Sequence, residues 1–522
     1  MDHAETGVLS SVRFSETRPS SQFAAMRRNM DNAETGLVQS TRARRMHPYE
    51  RANQEEVPTE EVPADDPDQD NGANNMDTSD DIEHIDLTEA LELPTELCQH
   101  WTNTDGHIHL TAGEVSTRHL KPDERAAFIE AKVKELESFF ENGVWEHAST
   151  STTDDARTMR ARFLLKWSKN ADGTPRAKAR LVVQGFRDPD ALSGNLETSS
   201  PTATRHARIM ILNVARIMEW IMFTADITTA FLQGKKCDRN LYVALPAEAC
   251  RLLGYPEGTR MKLVKSMYGL SDAPRNWWKE ATDRLLACGF IPHPLDPCLF
   301  LSYTEGANRR ELDGALCLHV DDILGAGDTR ANTGACFKKR LQKLKESFSF
   351  RTWEDGEEMS FCGAKLRKRA CGDIEMSMQE YLHKLTPITL TKDRLKDPSQ
   401  PVTAAEHRQL RGLLGGMAWP STQTCPHAQC TVSLLQGISA PTVNTIIEAN
   451  KHLRFLKANA DVGICARKVV DRLSDLRFAV LTDAAWGVRT DGTSQGGYMV
   501  IASSDKLLRQ QNCAYNVIDW RS

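Results

Sequence analysis

The pattern of apolar and polar positions divides the chain into a polar leader and a long body of regular elements. Ala127, Phe128, Ala131, Leu136, Phe139 and Phe140 recur at helical spacing after Lys121-Pro122-Asp123-Glu124, and the run ends at Asn142-Gly143. Proline and acids in the first turn and Asn-Gly at the end predict one helix, its stripe serving as core. β-prone runs at 162–167 and 178–184 flank Asn170-Ala171-Asp172-Gly173, a hairpin signal. Alternation puts Lys178, Arg180 and Val182 on one face of that ribbon. Residues 207–220 read as an amphipathic helix feeding an apolar strand that ends at Asp226. Further on, 263–278 predicts a strand, a turn at Gly269 and a helix opened by Pro274. Lys265 and Arg275 lie close to that helix start, a phosphate neighbourhood.

The body is organised around Leu318-His319-Val320-Asp321-Asp322-Ile323-Leu324, an acidic pair with apolar residues on both sides. This predicts a β-hairpin with carboxylates at its turn. A solvated Asp-Asp turn would account for the pair alone. Asp226, roughly a hundred residues upstream, occupies a matching place at the end of an apolar strand. Carboxylates on neighbouring strand ends can hold two divalent cations roughly 4 Å apart, which suits nucleotidyl transfer to a primer 3′-hydroxyl. Phe231, five residues past Asp226, is placed to pack beneath an incoming sugar and exclude a 2′-hydroxyl.

Charge is unevenly spread, and this removes an objection to a nucleic-acid partner. The net charge is −6, but residues 1–95 hold 8 Lys+Arg against 21 Asp+Glu, leaving 57 against 50 in the remainder. An acidic tail is therefore joined to a mildly basic body. Residues 1–95 read as disordered, with weak basic clusters at Arg27-Arg28 and Arg42-Ala43-Arg44-Arg45. The 13 cysteines form no C-x-x-C pair, and Cys425, His427 and Cys430 lack a second half for a metal site. No apolar run reaches the length of a membrane span and no secretory leader is visible, so the expectation is a reduced, intracellular protein.

The order of blocks resembles the reverse transcriptase of copia-type retrotransposon polyproteins. The blocks are Asn142-Gly-Val-Trp145; Lys178-Ala-Arg-Leu-Val182 with Gly185-Phe186; Asp226-Ile-Thr-Thr-Ala-Phe-Leu-Gln-Gly234; Tyr268-Gly-Leu270 with Ala273-Pro-Arg275 and Trp277; and Val320-Asp-Asp-Ile-Leu324. Phe361-Cys-Gly-Ala-Lys-Leu366 resembles the family's primer-gripping segment. Runs 408–415 and 449–457 resemble its connection to RNase H. The resemblance covers about residues 121–522.

It implies an α+β right-hand polymerase with fingers, palm and thumb, followed by a connection and a partial RNase H-like sheet. The expected divisions are a disordered acidic tail at 1–95, fingers and palm at 121–335, a thumb-like part at 336–400, a connection at 401–475 and the RNase H-like piece at 476–522. Asp226, Asp321 and Asp322 would hold two Mg²⁺ or Mn²⁺ ions, and Lys178, Arg180, Phe231 and Tyr268 would meet the nucleotide. The expected partners are an RNA or DNA primer–template and deoxynucleoside triphosphates, with other Pol-derived proteins or self-association as further contacts. The expected location is a cytoplasmic virus-like particle, the nucleus, or both.

Three departures stand against this. His319 replaces the family's Tyr or Phe and introduces a side chain that titrates near neutrality. Asp272 replaces a Gln and adds negative charge near a triphosphate pocket. Asp483 matches the first metal ligand of RNase H, yet Ser522 is reached before the helix expected to carry the next acidic ligand. The expectation is therefore no RNase H activity, and three C-terminal strands of poor order. No protease or integrase constellation appears upstream, so the sequence reads as a fragment or degenerate copy of a longer polyprotein. The alternative reading is a decayed relic that at most binds nucleic acid.

Overall fold

A computed structural model describes residues 114–522, apart from 118–119, 149–153, 170–173, 306–310, 331–335, 488 and 490–491. The expected acidic tail at 1–95 and the turn at 170–173 lie outside the described residues. The architecture is mixed α+β, as expected.

Helix α1, Pro122–Glu141, starts where proline and acids predict it, with the Lys121 amide donating to Glu124 Oε2 at 2.9 Å. It ends at Asn142, and Gly143 takes a left-handed φ of 59°. Phe128, Leu136 and Phe139 are buried; Phe128 meets the Trp167 ring edge-on at 4.8 Å between centroids. A five-stranded sheet lies beneath, built from β1 (Trp145–His147), β2 (Thr158–Lys169), β3 (Pro175–Val183), β4 (Tyr242–Ala244) and β5 (Arg260–Leu263) in the order β1-β5-β4-β2-β3. Strand β3 is at its edge, and α1 runs along it.

The second sheet has six antiparallel strands. Its inner pair is the strand Ile221–Ile227, called βA for its place beside the site, and the strand Asp322–Gly327, called βB. Beyond βB lie the strands Leu312–His319, Asp296–Tyr303 and Ile291–His293; the outer neighbour of βA is Phe350–Glu354. Helix α2, Arg205–Met218, covers one face through Ala207, Ile211, Leu212 and Ala215, against Leu324 and Ala326. Helices α3 (Ala273–Ala287) and α4 (Phe337–Ser347) cover the other face, with Phe223, Phe290, Phe300 and Phe337 between. Two apolar faces explain the nearly continuous apolar runs of these strands. Gly325 and Gly327 admit the rings: a Cβ there would stand 2.3 Å from Phe223 and Phe337 respectively.

A four-stranded sheet (Glu358–Phe361, Ala364–Lys368, Ile374–Ser377, Ile464–Ala466) and helices α5 (Ala404–Gln423), α6 (Pro426–Gln436) and α7 (Val443–Ala458) share one apolar core with α2. The last three strands, Arg477–Ala485, Gln495–Ser503 and Tyr515–Arg521, form a separate antiparallel sheet. This corrects the expectation of poor order. Ile518 and Trp520 pack on Ile209 of α2, Trp520 Nε1 donates to the Ser421 carbonyl at 2.8 Å, and buried Asn516 donates to Asn213 at 2.6 Å. The sheet is held by a neighbouring helix rather than by helices of its own. No helix among the described residues is long and apolar enough to cross a membrane.

Candidate active site

The hairpin joining His319 to Asp322 turns through two residues, Val320 and Asp321. Val320 has φ of 57°, a left-handed conformation that is strained for a β-branched residue. Two hydrogen bonds hold it: Trp277 Nε1 donates to the Val320 carbonyl at 2.7 Å, and the Ile227 amide donates to the Asp321 carbonyl at 2.9 Å. Asp322 pairs in register with Asp226 across βA and βB. Directly opposed residues in an antiparallel pair project to one face. The backbone positions of the three aspartates thus meet at one end of the sheet.

Asp226 and Asp321 line a cleft of about 560 Å³. Burial pushes the Asp226 carboxyl up to about 6, with Asp321 adding to it, although the Arg351 guanidinium pairs with it and opposes the shift. Burial likewise raises Asp321. Asp322 lies to the side, its Oδ2 accepting from the Cys362 thiol at 3.7 Å. Cys362 (φ 47°) and Gly363 (φ 72°) form the tight turn within the predicted primer-gripping segment. Among the described residues, no three His, Cys, Asp or Glu side chains stand together at metal-ligand spacing. Two buried, mutually repelling carboxylates are nevertheless an oxygen-only donor pair, and a hard divalent cation such as Mg²⁺ or Mn²⁺ would neutralise them.

The other candidate residues meet in the same cleft. Lys178, Arg180, Phe231 and Tyr268 all line it, as do Arg351 and one flank of α1. Phe231 is 3% exposed and packs edge-on against Tyr268 at 5.8 Å; the Arg180 guanidinium lies 4.9 Å over the Tyr268 ring. Behind them the Gly185 and Gly269 backbones touch. A Cβ on Gly185 would be 2.0 Å from the Gly269 carbonyl oxygen, and one on Gly269 would be 2.2 Å from that of Val183. This close approach lets the Val183 amide reach the Tyr268 carbonyl at 2.9 Å.

Two departures are absorbed, against expectation. Burial, with Arg208 nearby, pushes His319 down to about 4, so the imidazole is neutral at physiological pH rather than titrating there. Its Nδ1 is buried without a hydrogen-bond partner. Asp272 does not line the cleft. It is buried against Arg239 at 2.8 Å, and the same guanidinium binds Asp188 at 2.7 Å and Asp190 at 3.0 Å, while Arg157 binds Asp190 at 2.9 Å. Lys265 and Arg275 also turn away, Lys265 to the Asn142 carbonyl at 2.6 Å and Arg275 to the Ser199 carbonyl at 2.8 Å and to Glu197. Asp483 is exposed on the first strand of the C-terminal sheet.

Sequence reasoning missed Glu135, Arg351 and the contact from Trp277. Glu135 falls outside the apolar stripe of α1 and so resembles a solvated acid. Arg351 carries no local signal, and the reach of Trp277 to Val320 spans 43 positions.

Residues 142–396 match the family described as reverse transcriptase (RNA-dependent DNA polymerase). This region is a reverse-transcriptase domain. The chain is 27% identical over 356 residues to the retrovirus-related Pol polyprotein from transposon RE1 of Arabidopsis thaliana, covering 65% of this chain and 23% of that protein. To the polyprotein of transposon RE2 from the same plant it is 28% identical over the same coverage. To that of transposon TNT 1-94 of Nicotiana tabacum it is 26% identical over 268 residues, 51% of this chain and 19% of that one. The chain thus spans under a quarter of the length of these curated relatives. Among solved structures, a foamy viral protease-reverse transcriptase in complex with dsDNA is similar at 14% identity and TM-score 0.41, over 83% of this chain and 76% of that one. A second foamy viral structure, also with dsDNA, is similar at 12% identity and TM-score 0.43, over 78% and 58%.

Proposed function

We propose that the chain is a working RNA-directed DNA polymerase that extends a primer 3′-hydroxyl on a nucleic-acid template with deoxynucleoside triphosphates. The observation that carries this reading is the in-register pairing of Asp226 with Asp322, with Asp321 at the adjoining turn, beside a cleft lined by Lys178 and Arg180. Asp226, Asp321 and Asp322 would hold two Mg²⁺ or Mn²⁺ ions, which when bound supply Lewis-acid activation of the hydroxyl and charge stabilisation at the phosphate. Lys178 and Arg180 bind and orient the triphosphate. Phe231 forms the floor of the sugar subsite, where a ring leaves no space for a 2′-hydroxyl. Tyr268 supports both Phe231 and Arg180. Trp277 and the Ile227 amide fix the hairpin so that the carboxylates keep their geometry.

The neutral, buried His319 and the compensated Asp272 favour a competent enzyme over a relic. We also propose that the C-terminal sheet, on which Asp483 is exposed, does not cleave RNA. Action within an intracellular particle or the nucleus, alongside other Pol-derived proteins, fits a retrotransposon origin.

The test is primer extension by the full chain on poly(rA)·oligo(dT) with Mg²⁺ or Mn²⁺, beside an Asp321→Asn/Asp322→Asn variant. Extension by the parent alone supports the reading. Equal extension by both refutes the site, and a folded parent that binds duplex without extending it supports the relic.

A further inference from the structure

The edge of β3 has two amide anchors, one to the turn at Tyr268 and one to α1. The Val183 amide donates to the Tyr268 carbonyl at 2.9 Å. Two residues earlier on the same edge, the Leu181 amide donates to Glu135 Oε1 at 3.0 Å, a bond that reaches from α1 across 46 positions. Amides two residues apart point the same way along an edge strand, so this edge is fastened at both points. A buried edge amide left without a partner would be costly.

Immediately before these anchors on the strand lie the cations of the cleft. Arg180 directly precedes Leu181, and Lys178 shares its face of the strand. Glu135 itself lines the cleft with Lys178, Arg180 and Asp226. We propose that Glu135 is a positioning residue for the triphosphate subsite, clamping α1 to the open edge of β3 and thereby fixing Lys178 and Arg180 where the nucleotide phosphates bind. This rests on the polymerase reading above. Burial pushes the Glu135 carboxyl up to about 7, partly offset by the Leu181 bond and then by Arg180 and Lys178. An apolar residue there would escape that penalty but would leave the Leu181 amide without its partner.

The experiment uses the full chain with Glu135→Gln, which keeps an oxygen acceptor for the Leu181 amide, and Glu135→Leu, which does not. On poly(rA)·oligo(dT) with dTTP and Mg²⁺, the Leu variant raises the KM for dTTP by about tenfold, with kcat and primer–template Kd within about twofold. The Gln variant stays close to the parent. Equilibrium binding of dTTP with Mg²⁺ and hydrogen exchange at the Leu181 amide supply readouts independent of turnover: only the Leu variant binds more weakly and exchanges faster. An unchanged dTTP affinity in a folded Leu variant overturns the proposal. So does an equal loss of kcat, KM and thermal stability in both variants, which would mark a merely structural residue. A parent that extends no primer refutes the polymerase reading, while dTTP binding still decides the role of Glu135. A parent that binds no dTTP overturns both.

Discussion

Asp226 and Asp322 face each other across adjacent antiparallel strands, and the turn that follows His319 brings Asp321 beside them. Such an arrangement trades stability for function, because burial raises both Asp226 and Asp321, and the charge of Asp321 raises Asp226 further. Asp226→Asn removes the repulsion. It is expected to cut primer extension by at least about a hundredfold. The metal-free variant should unfold at the same or higher urea concentration than the parent at pH 8. Loss of both activity and stability would mean that Asp226 is held by favourable contacts, contrary to this account.

Arg351 pairs with Asp226 and competes with any cation for the same carboxylate. Its side chain is 57% exposed, so the pair is screened and contributes under about 1 kcal/mol. Arg351→Gln should therefore tighten Mn²⁺ binding, by no more than about fivefold, as read by electron paramagnetic resonance of free Mn²⁺. Weaker Mn²⁺ binding in this variant would contradict a competing role.

Phe231 is buried against Tyr268 at the cleft wall. Phe231→Val opens space there and should raise incorporation of ribonucleotides relative to deoxynucleotides by about tenfold or more. The truncation also costs roughly 2–3 kcal/mol of stability, so selectivity must be compared at a temperature where both proteins are folded. An unchanged ratio would place the sugar elsewhere.

The carboxylate centre was legible because each part is local: an acidic residue at the end of an apolar strand announces itself within seven residues. What escaped depends on distant partners. Asp272 resembles a charge defect until Arg239, Asp188 and Asp190 are brought to it by the fold. The C-terminal strands read as unsupported because their support, Asn213 and Ile209 on α2, lies some three hundred positions earlier. Glu135 is invisible for the same reason, since nothing near it in sequence marks the open edge of β3.

Gly185 and Gly269 make a stronger structural demand than the aromatic residues around them. A Cβ at either position would collide with backbone oxygen, which no rotamer change relieves, and Gly269 also has φ of 97°. Gly269→Ala is expected to destabilise by about 3 kcal/mol or more and to weaken dTTP binding through displacement of Tyr268. A variant with parental stability would show that the two turns can separate freely.

The pH dependence of folding offers a separate check on Glu135. An unfolded glutamate ionises near 4.5, whereas the folded one holds its proton to about 7. Between these values the folded state binds the additional proton, so stability falls as pH rises through that window and the penalty is complete above it. The groups that moderate it are the Leu181 amide, Arg180 and Lys178. Glu135→Gln cannot ionise and escapes the penalty. Its stability relative to the parent should therefore increase by on the order of 2 kcal/mol between pH 5 and pH 8, as measured by urea unfolding of the metal-free chain. A difference that stays constant across this range would mean that the Glu135 carboxyl ionises normally and is not enclosed between α1 and β3.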